Sequence, residues 1–259
     1  MKFGELDSKM RQLEWFHGLR ALTGTWPILR VDGRSFSRLT AASFDKPFDA
    51  RFHELMTLTA TALLEALHGV YAYTESDEIS VLLPSDSGIF DRELEKLVSV
   101  SAGVASATFT HAFARESVHF DSRLCLAATP SLVIDYFRWR QSDAARCALN
   151  GHCYWALRKE GHSVAAATRS LEGMTNSEKN ELLFQRGTNF NETPLWQRRG
   201  TGVYWRNVEK QGFNPQTGEG VTTSRRRPFV DRELPVGDSY GAFIEQFVRP
   251  EAARLGKSS

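Results

Sequence analysis

The 259-residue chain has no surplus of charge, no paired cysteines and no long apolar run. Each lack narrows what it can be. Lysine and arginine number 32 against 31 aspartates and glutamates, a formal net charge of +1, so bulk charge announces neither a nucleic-acid partner nor an anionic membrane surface. The three cysteines, Cys125, Cys147 and Cys153, are odd in number and form no CxxC pair. That argues against a disulfide framework or a zinc site and for reduced thiols. No uncharged apolar run approaches the roughly 18 residues of a membrane span. The segment Met1–Glu14 is charged and has no apolar stretch of the kind a signal peptide needs. The expected compartment is the cytoplasm. Internal repeats, low-complexity segments and disorder-like linkers are also missing, so the chain reads as one structural unit.

What is present is uneven charge and clear periodicity. Between Leu195 and Arg232 eight cations face three anions. That excess suits a polyanion, and it also suits a solvated surface. The apolar run Trp26–Val31, flanked by Gly24 and Gly33, reads as a buried strand. Phe52, Leu55, Met56, Thr59, Leu63, Ala66 and Leu67 recur at helical spacing within Lys46–Gly69. Val70–Thr74 and Ile79–Leu83 are β-rich arms of a hairpin whose turn is acidic. Phe90–Thr110 predicts a second helix and Val118–Ala128 a fourth strand. The order βαββαβ predicts an α+β, ferredoxin-like palm, an antiparallel sheet with two helices on one face. Helical regions follow at about Ser131–Gly161 and Ser163–Met174. The polar, turn-rich remainder, with glycines at 200, 202, 212, 218 and 220, reads as loops and short strands. Residues 1–130 would form the catalytic core, and residues 131–259 a helical and loop-rich elaboration packed on it.

In such a sheet the strands lie in the order 4-1-3-2. The end of the first strand, Val31-Asp32-Gly33, then sits beside the start of the third, Ser76-Asp77-Glu78. Carboxylates converging at a sheet edge repel unless a cation joins them, and hard oxygen ligands suit Mg2+. Two such ions would bind the attacking and leaving oxygens of a phosphoryl displacement. Gly33, lacking a Cβ, would let a phosphate or a metal approach the backbone. Asp32-Gly33-Arg34-Ser35-Phe36-Ser37 offers amides, hydroxyls and a guanidinium to a triphosphate, with Lys46 in reach. An Asp-Gly turn or an acidic hairpin tip is ordinary by itself; their joint placement is what points to a site.

At these residues the chain resembles the tRNA-His guanylyltransferase-like proteins, the 3′–5′ polymerases. The matching stretches are Ile28–Phe36, Phe44–Asp49, Tyr73–Ser80, Phe120–Arg123, Trp139–Asp143, Lys179–Phe184, Gly187–Asn191 and Arg199–Val203. The resemblance implies a palm with two Mg2+ ions per active site. Asp32 and Asp77 resemble its metal-bridging carboxylates, Gly33 its backbone-carbonyl ligand and Glu78 a supporting acid. Asp32, Gly33, Arg34, Ser35, Phe36, Ser37, Ser76 and Asp77 resemble its nucleotide contacts. Lys46, Lys96 and Lys179 resemble phosphate-handling cations, with Asn180 and Glu181 in the same shell. The implied partners are tRNA, ATP, GTP and other nucleoside triphosphates, with a homotetramer by analogy. The implied chemistry is activation of a tRNA 5′ end with ATP, attack by the 3′-hydroxyl of an incoming nucleoside triphosphate, and removal of pyrophosphate. Arg198, Arg199, Arg225, Arg226 and Arg227 are the candidates for tRNA backbone contact.

One departure is informative. Where the eukaryotic guanylyltransferases carry His-Ile-Asn-Asn-Leu-Tyr-Asn, this chain has Ala145-Arg146-Cys147-Ala148-Leu149-Asn150-Gly151. That resembles the bacterial and archaeal branch, which extends 5′-truncated tRNAs against a template. Addition of the extra 5′ guanosine is the alternative. A palm-type nucleotide cyclase and a non-catalytic RNA-binding module are more remote. The aromatics Trp139, Tyr154, Trp155, Trp196, Tyr204 and Trp205, and the pair His152-Cys153, read as core.

Overall fold

The computed structural model describes residues 3–213 and 220–249. The final ten residues of the expected C-terminal region, and Gly218, lie outside the described residues. Six strands form one sheet: β1 (Trp26–Gly33), β2 (Tyr71–Glu75), β3 (Glu78–Leu82), β4 (Phe120–Ala127), β5 (Thr201–Phe213) and β6 (Gly220–Asp231). Each neighbouring pair is antiparallel, and the order is β4-β1-β3-β2-β5-β6. The helices are α1 (Phe3–Arg11), α2 (Phe36–Ser43), α3 (Ala50–Ala66), α4 (Leu94–Phe113), α5 (Pro130–Lys159), α6 (Val164–Leu171), α7 (Asn176–Phe184), α8 (Leu195–Arg199) and α9 (Gly237–Val248). Among the described residues no helix is long and apolar enough to cross a membrane.

The short central strands are apolar almost throughout because both faces of the sheet are covered. Leu29, Val31, Ala72, Ile79 and Val81 pack with Met56, Leu63, Leu97 and Phe109 of α3 and α4. Ile28, Tyr71, Tyr73 and Leu82 pack on the opposite face with Val133 and Phe137 of α5 and with Tyr240 and Ile244 of α9. The expected pair of helices thus covers one face, and the C-terminal half covers the other. A third cluster joins Leu149, Cys153 and Leu157 of α5 to Ala167, Leu171 and Leu183 of α6 and α7.

The C-terminal half also departs from the expected loops and short strands. β5 pairs with β2 only over Thr201–Tyr204; the rest of its length pairs with β6 alone. Among the described residues no further layer covers that outer ribbon, so it carries polar residues on both faces and shows no apolar alternation. Gly200 stands at φ +69, and a Cβ there would lie 2.4 Å from the Tyr73 hydroxyl. Only glycine fits the entry to β5.

Helix starts follow capping chemistry. The Asp49 carboxylate accepts the Arg51 amide ahead of α3, and Thr129 accepts the Leu132 amide ahead of α5, where Pro130 occupies the first turn. Thr175 and Glu178 form a reciprocal capping box on α7.

The sheet and α9 are tied by a hydrogen bond of 2.9 Å between the hydroxyls of Tyr71 and Tyr240, both fully buried. Tyr240→Phe leaves the Tyr71 hydroxyl without that partner in an apolar layer. The expected loss is about 1–3 kcal/mol, read as a lower urea midpoint at unchanged slope.

Candidate active site

Four carboxylates stand in one row across four strands at one end of the sheet. Asp32 is in register with Asp121 on one side and Glu78 on the other, and Glu78 is in register with Glu75. Residues directly opposite in an antiparallel sheet lie on the same face with Cβ atoms about 5 Å apart, so like charges there are destabilising. Asp77 lies in the turn between β2 and β3, and its carbonyl accepts the Gly33 amide at 3.0 Å. The ends of β1 and β3 therefore meet.

Most of these acids have a cation of their own. Arg140 of α5, 5% exposed, donates from Nη2 to Glu75 Oε1 at 2.8 Å and to Glu78 Oε2 at 3.0 Å. Its Nε lies 2.7 Å from Glu78 Oε1, and its Nη1 reaches Asp143 at 3.3 Å. Arg30 Nε stands 3.6 Å from Glu78 Oε2. Asp121 is held by Arg123 at 3.3 Å on the exposed end of the row. Asp32 has no ion pair among the described residues. Asp77 accepts a hydrogen bond from Ser76 Oγ at 3.1 Å.

Burial governs the titration of Glu75, Asp77 and Glu78. Glu75 is pushed up to about 8 by desolvation, against the pull of Arg140 and with the repulsion of Glu78. Glu78 rises for the same first reason, with Arg140 and Arg30 opposing. Asp77 is raised by burial, its own backbone hydrogen bond opposing, and then by Asp32.

A cavity of about 220 Å3 opens beside this edge. Thr74, Glu75 and Ser76 meet Lys46, Phe44, Phe48, Cys147, Gly151 and Trp155 there. Lys46 donates to Thr40 Oγ1 and lies 6.0 Å from the Trp155 ring centroid. Burial lowers its pKa, while the Asp77 carboxylate raises it.

The segment after β1 divides its residues between core and solvent. Arg34, Ser35 and Ser37 are exposed where α2 begins, with Ser35 at φ 63 as its cap. Phe36 is 2% exposed and stacks edge-on against Phe109 at 5.1 Å. Its ring belongs to the core, so any ligand contact at Phe36 is made by its backbone. Phe36 also corrects the reason for Gly33: a Cβ at Gly33 would lie 2.4 Å from that ring.

Several expected contacts lie elsewhere within the chain. Lys96 pairs with Glu93 at 2.7 Å in the first turn of α4. Its helix ends at Phe113, near the carboxylate row, which places Lys96 about 25 Å away along the axis. Lys179 and Asn180 sit on α7, against the distal half of α5; the Lys179 carbonyl lies 3.4 Å from Cys153 Sγ and Asn180 bonds the Asn176 carbonyl. Neither lines the cavity with Lys46. Arg198 donates to the carbonyls of Thr193 and Asn191, and Arg199 to that of Leu234, so both brace loops. Arg225, Arg226 and Arg227 are exposed on β6. Arg206 is in register with Arg227, on the same face of the ribbon, and Arg226 lies over Trp205 at 5.1 Å on the other face.

Sequence reasoning gave no role to Glu75 or Arg140. Glu75 lies two residues before Asp77, where an acid reads as hairpin surface, and Arg140 is an arginine inside an otherwise amphipathic helix. The unusual feature was the second: a charge on the core-facing stripe with Phe137 and Ala144. Trp139, expected in the core, is 53% exposed and stands over Arg140 at 4.6 Å. The cationic neighbour and the solvent edge of the helix both favour that placement.

Comparison with known proteins gives consistent matches. The family described as tRNAHis guanylyltransferase matches residues 7–128, and that described as Thg1 C terminal domain matches residues 131–233. The chain is 33% identical to tRNA(His) guanylyltransferase 2 of Arabidopsis thaliana, over 88% of this chain and 43% of that protein. It is 32% identical to a probable tRNA(His) guanylyltransferase of Dictyostelium discoideum, over 81% of this chain and 85% of that one. The chain spans less than half the length of the Arabidopsis relatives it matches. A bacterial guanylyltransferase-like protein in complex with GTP superposes with a TM-score of 0.75 at 25% identity, covering 95% of this chain and all of that one. The tRNA(His) guanylyltransferase of Saccharomyces cerevisiae superposes at 0.70 and 26% identity, over 78% of this chain and 93% of that one.

The raised carboxylates set a pH dependence for the metal-free protein. A folded-state pKa of about 8 at Glu75 against the ordinary 4.5 means the folded state holds a proton that the unfolded state releases. That stability is fully present below 4.5 and is lost as pH rises through about 8. In EDTA the melting temperature should fall between pH 6 and pH 9, and Glu75→Gln should flatten the fall. A rise over this window would contradict the assignment.

Proposed function

The chain belongs to the tRNA(His) guanylyltransferase family, and we propose that it adds nucleotides to the 5′ end of a tRNA in the 3′–5′ direction, reading a template strand. The observation that carries this reading is the meeting of Asp32 and Asp77 at the ends of β1 and β3, beside a cavity that holds Lys46. The four strands β4-β1-β3-β2, with α3 and α4 on one face, are read as a ferredoxin-like palm. Residues 1–130 then form the catalytic core, and residues 131–259 the part that contacts tRNA.

The donor set fits two Mg2+ ions. Among the described residues no three His, Cys, Asp or Glu side chains cage an ion unaided. Magnesium commonly takes one or two carboxylates and completes its shell with phosphate oxygens and water. Asp32 and Asp77 are half-buried, stand at neighbouring strand ends and make no ion pair among the described residues, which suits them to that part, with the Gly33 carbonyl as a further oxygen. Glu78 is held by Arg140 and Arg30, and so acts as a supporting acid. When bound, the ions supply stabilisation of the charge that develops on the attacking and leaving oxygens.

The protein's own groups do the rest. The amides at the start of α2, with Arg34, Ser35 and Ser37, hold a triphosphate by charge-assisted hydrogen bonds. Lys46, kept electrically close to Asp77, neutralises a phosphate oxygen. The aromatic wall of Phe44, Phe48 and Trp155 takes a nucleobase and excludes water. Each displacement passes through the same arrangement: the 5′ phosphate takes the adenylyl group of ATP and pyrophosphate leaves, the 3′-hydroxyl of an incoming triphosphate attacks that activated phosphate and AMP leaves, and water then removes pyrophosphate from the new 5′ triphosphate. The bacterial relative's GTP and ATP complexes support a site open to both nucleotides. The absence of a histidine at Ala145 favours templated extension over obligatory guanosine addition. A homotetramer is adopted by analogy with the family, and the unpaired cysteines fit the cytoplasm.

Asp77→Ala should lower 5′ extension of a tRNA lacking its first nucleotide by about a thousandfold or more, roughly 4 kcal/mol of transition-state stabilisation. The assay supplies Mg2+, ATP and all four triphosphates, and circular dichroism checks the fold. Cyclic nucleotide made from triphosphate alone would select a cyclase instead. Binding of tRNA by the ribbon is separately testable. Replacing Arg225 and Arg227 with alanine should weaken binding of any tRNA sequence and reduce the slope of log affinity against log salt by about 2. An unchanged slope would remove the ribbon from the interface.

A further inference from the structure

We infer that Arg140 is a positioning residue that decides which carboxylates of the row take divalent cations. This rests on the reading of Asp32 and Asp77 as the metal-binding pair. The row Asp121, Asp32, Glu78, Glu75 offers four adjacent acids, with Asp77 beside it. A divalent cation meeting four equivalent carboxylates would have several places to settle. In-line displacement needs the ions at fixed positions, and small misplacements are costly in rate.

Protein cations remove that ambiguity. Arg140 lies over the inner end of the row, its fork spanning Glu75 and Glu78, and Arg30 reaches Glu78 from β1. Arg123 takes Asp121 at the outer end. Asp32 is the member of the row left over. A planar guanidinium can hold two carboxylates at once, whereas an ammonium is a point charge.

The guanidinium is itself held in place. Asp143, one turn on along α5, takes its Nη1, and the Trp139 ring stands 4.6 Å from its Cζ. The next residue, Gln141, donates to the Pro235 carbonyl at 2.9 Å and fixes this turn of the helix against the loop after β6. Arg140 comes from the C-terminal half of the chain, so the selection of metal ligands in the N-terminal half depends on α5 being docked.

The test counts ions rather than products. Mn2+ is titrated into the protein with ATP and no RNA, and free Mn2+ is read by electron paramagnetic resonance. The wild-type protein should take up Mn2+ in a manner lost with Asp77→Asn. Arg140→Met should leave Glu75 and Glu78 uncompensated, so that Mn2+ binds about tenfold tighter or an additional ion is taken up. Glu75→Gln and Glu78→Gln added to Arg140→Met should return uptake to the wild-type curve. Arg140→Lys, which keeps the charge but not the fork, should shift uptake in the same direction by less. It also serves if Arg140→Met fails to fold. Wild-type-like uptake in a folded Arg140→Met or Arg140→Lys protein would overturn the role of Arg140 while leaving the two-ion site standing. Absence of Asp77-dependent uptake in the wild-type protein would instead overturn the site itself.

Discussion

The repulsion among half-buried carboxylates along one end of the sheet is the constraint around which this molecule is arranged. Asp32, Glu78 and Glu75 are neighbours across three strands, partly removed from water, and each raises the electrostatic cost of the next. In dilute water such charges at about 5 Å would matter little; under the reduced dielectric of a covered sheet they cost several kcal/mol. The fold answers with arginines from three directions: β1, β4 and α5. No arginine answers at Asp32 and Asp77, and the positive charge still wanted there is the ground for the proposed cation site.

The N-terminal half was legible in the sequence because its signals are local. Apolar runs bounded by glycine mark β1, a 3.6-residue rhythm marks α3, and an acidic turn between β-rich arms marks the β2–β3 hairpin. Topology then brought position 32 to positions 77 and 78 without any knowledge of contacts. The C-terminal half was less legible for a physical reason. Beyond Trp205 the described side chains of β5 and those opposite them on β6 are exposed, so Arg206, Lys210, Arg225 and Arg227 appear where an ordinary strand would alternate. The short helix α2 follows its left-handed cap at Ser35 within the very segment that read as a phosphate loop. Lys96 and Lys179 show the limit of carrying roles by resemblance: the path of each helix places the residue away from Asp77 within the chain, which motif spacing does not reveal.

The division of labour between the halves is clear in the packing. One face of the sheet is closed by α3 and α4, whose contacts are close in sequence to the strands they cover. The other is closed by α5 and α9, of which even the nearer begins nearly 50 residues downstream of β3. The carboxylate edge receives side chains from both layers: Lys46 precedes α3 and Arg140 comes from α5. Neither layer alone would balance the acids.

α5 is thirty residues long, about 45 Å from end to end. It rests on the sheet at Val133 and Phe137, grips the acids at Arg140, and carries the α6–α7 cluster on its far third at Leu149, Cys153 and Leu157. A single stiff beam with its grip between a fulcrum and a load obeys the law of the lever. A tilt that moved the α6–α7 end by an ångström would move Arg140 by a fraction of that distance, in the same sense. The aim of the guanidinium is therefore coupled, at reduced amplitude, to what presses on the remote end of the beam.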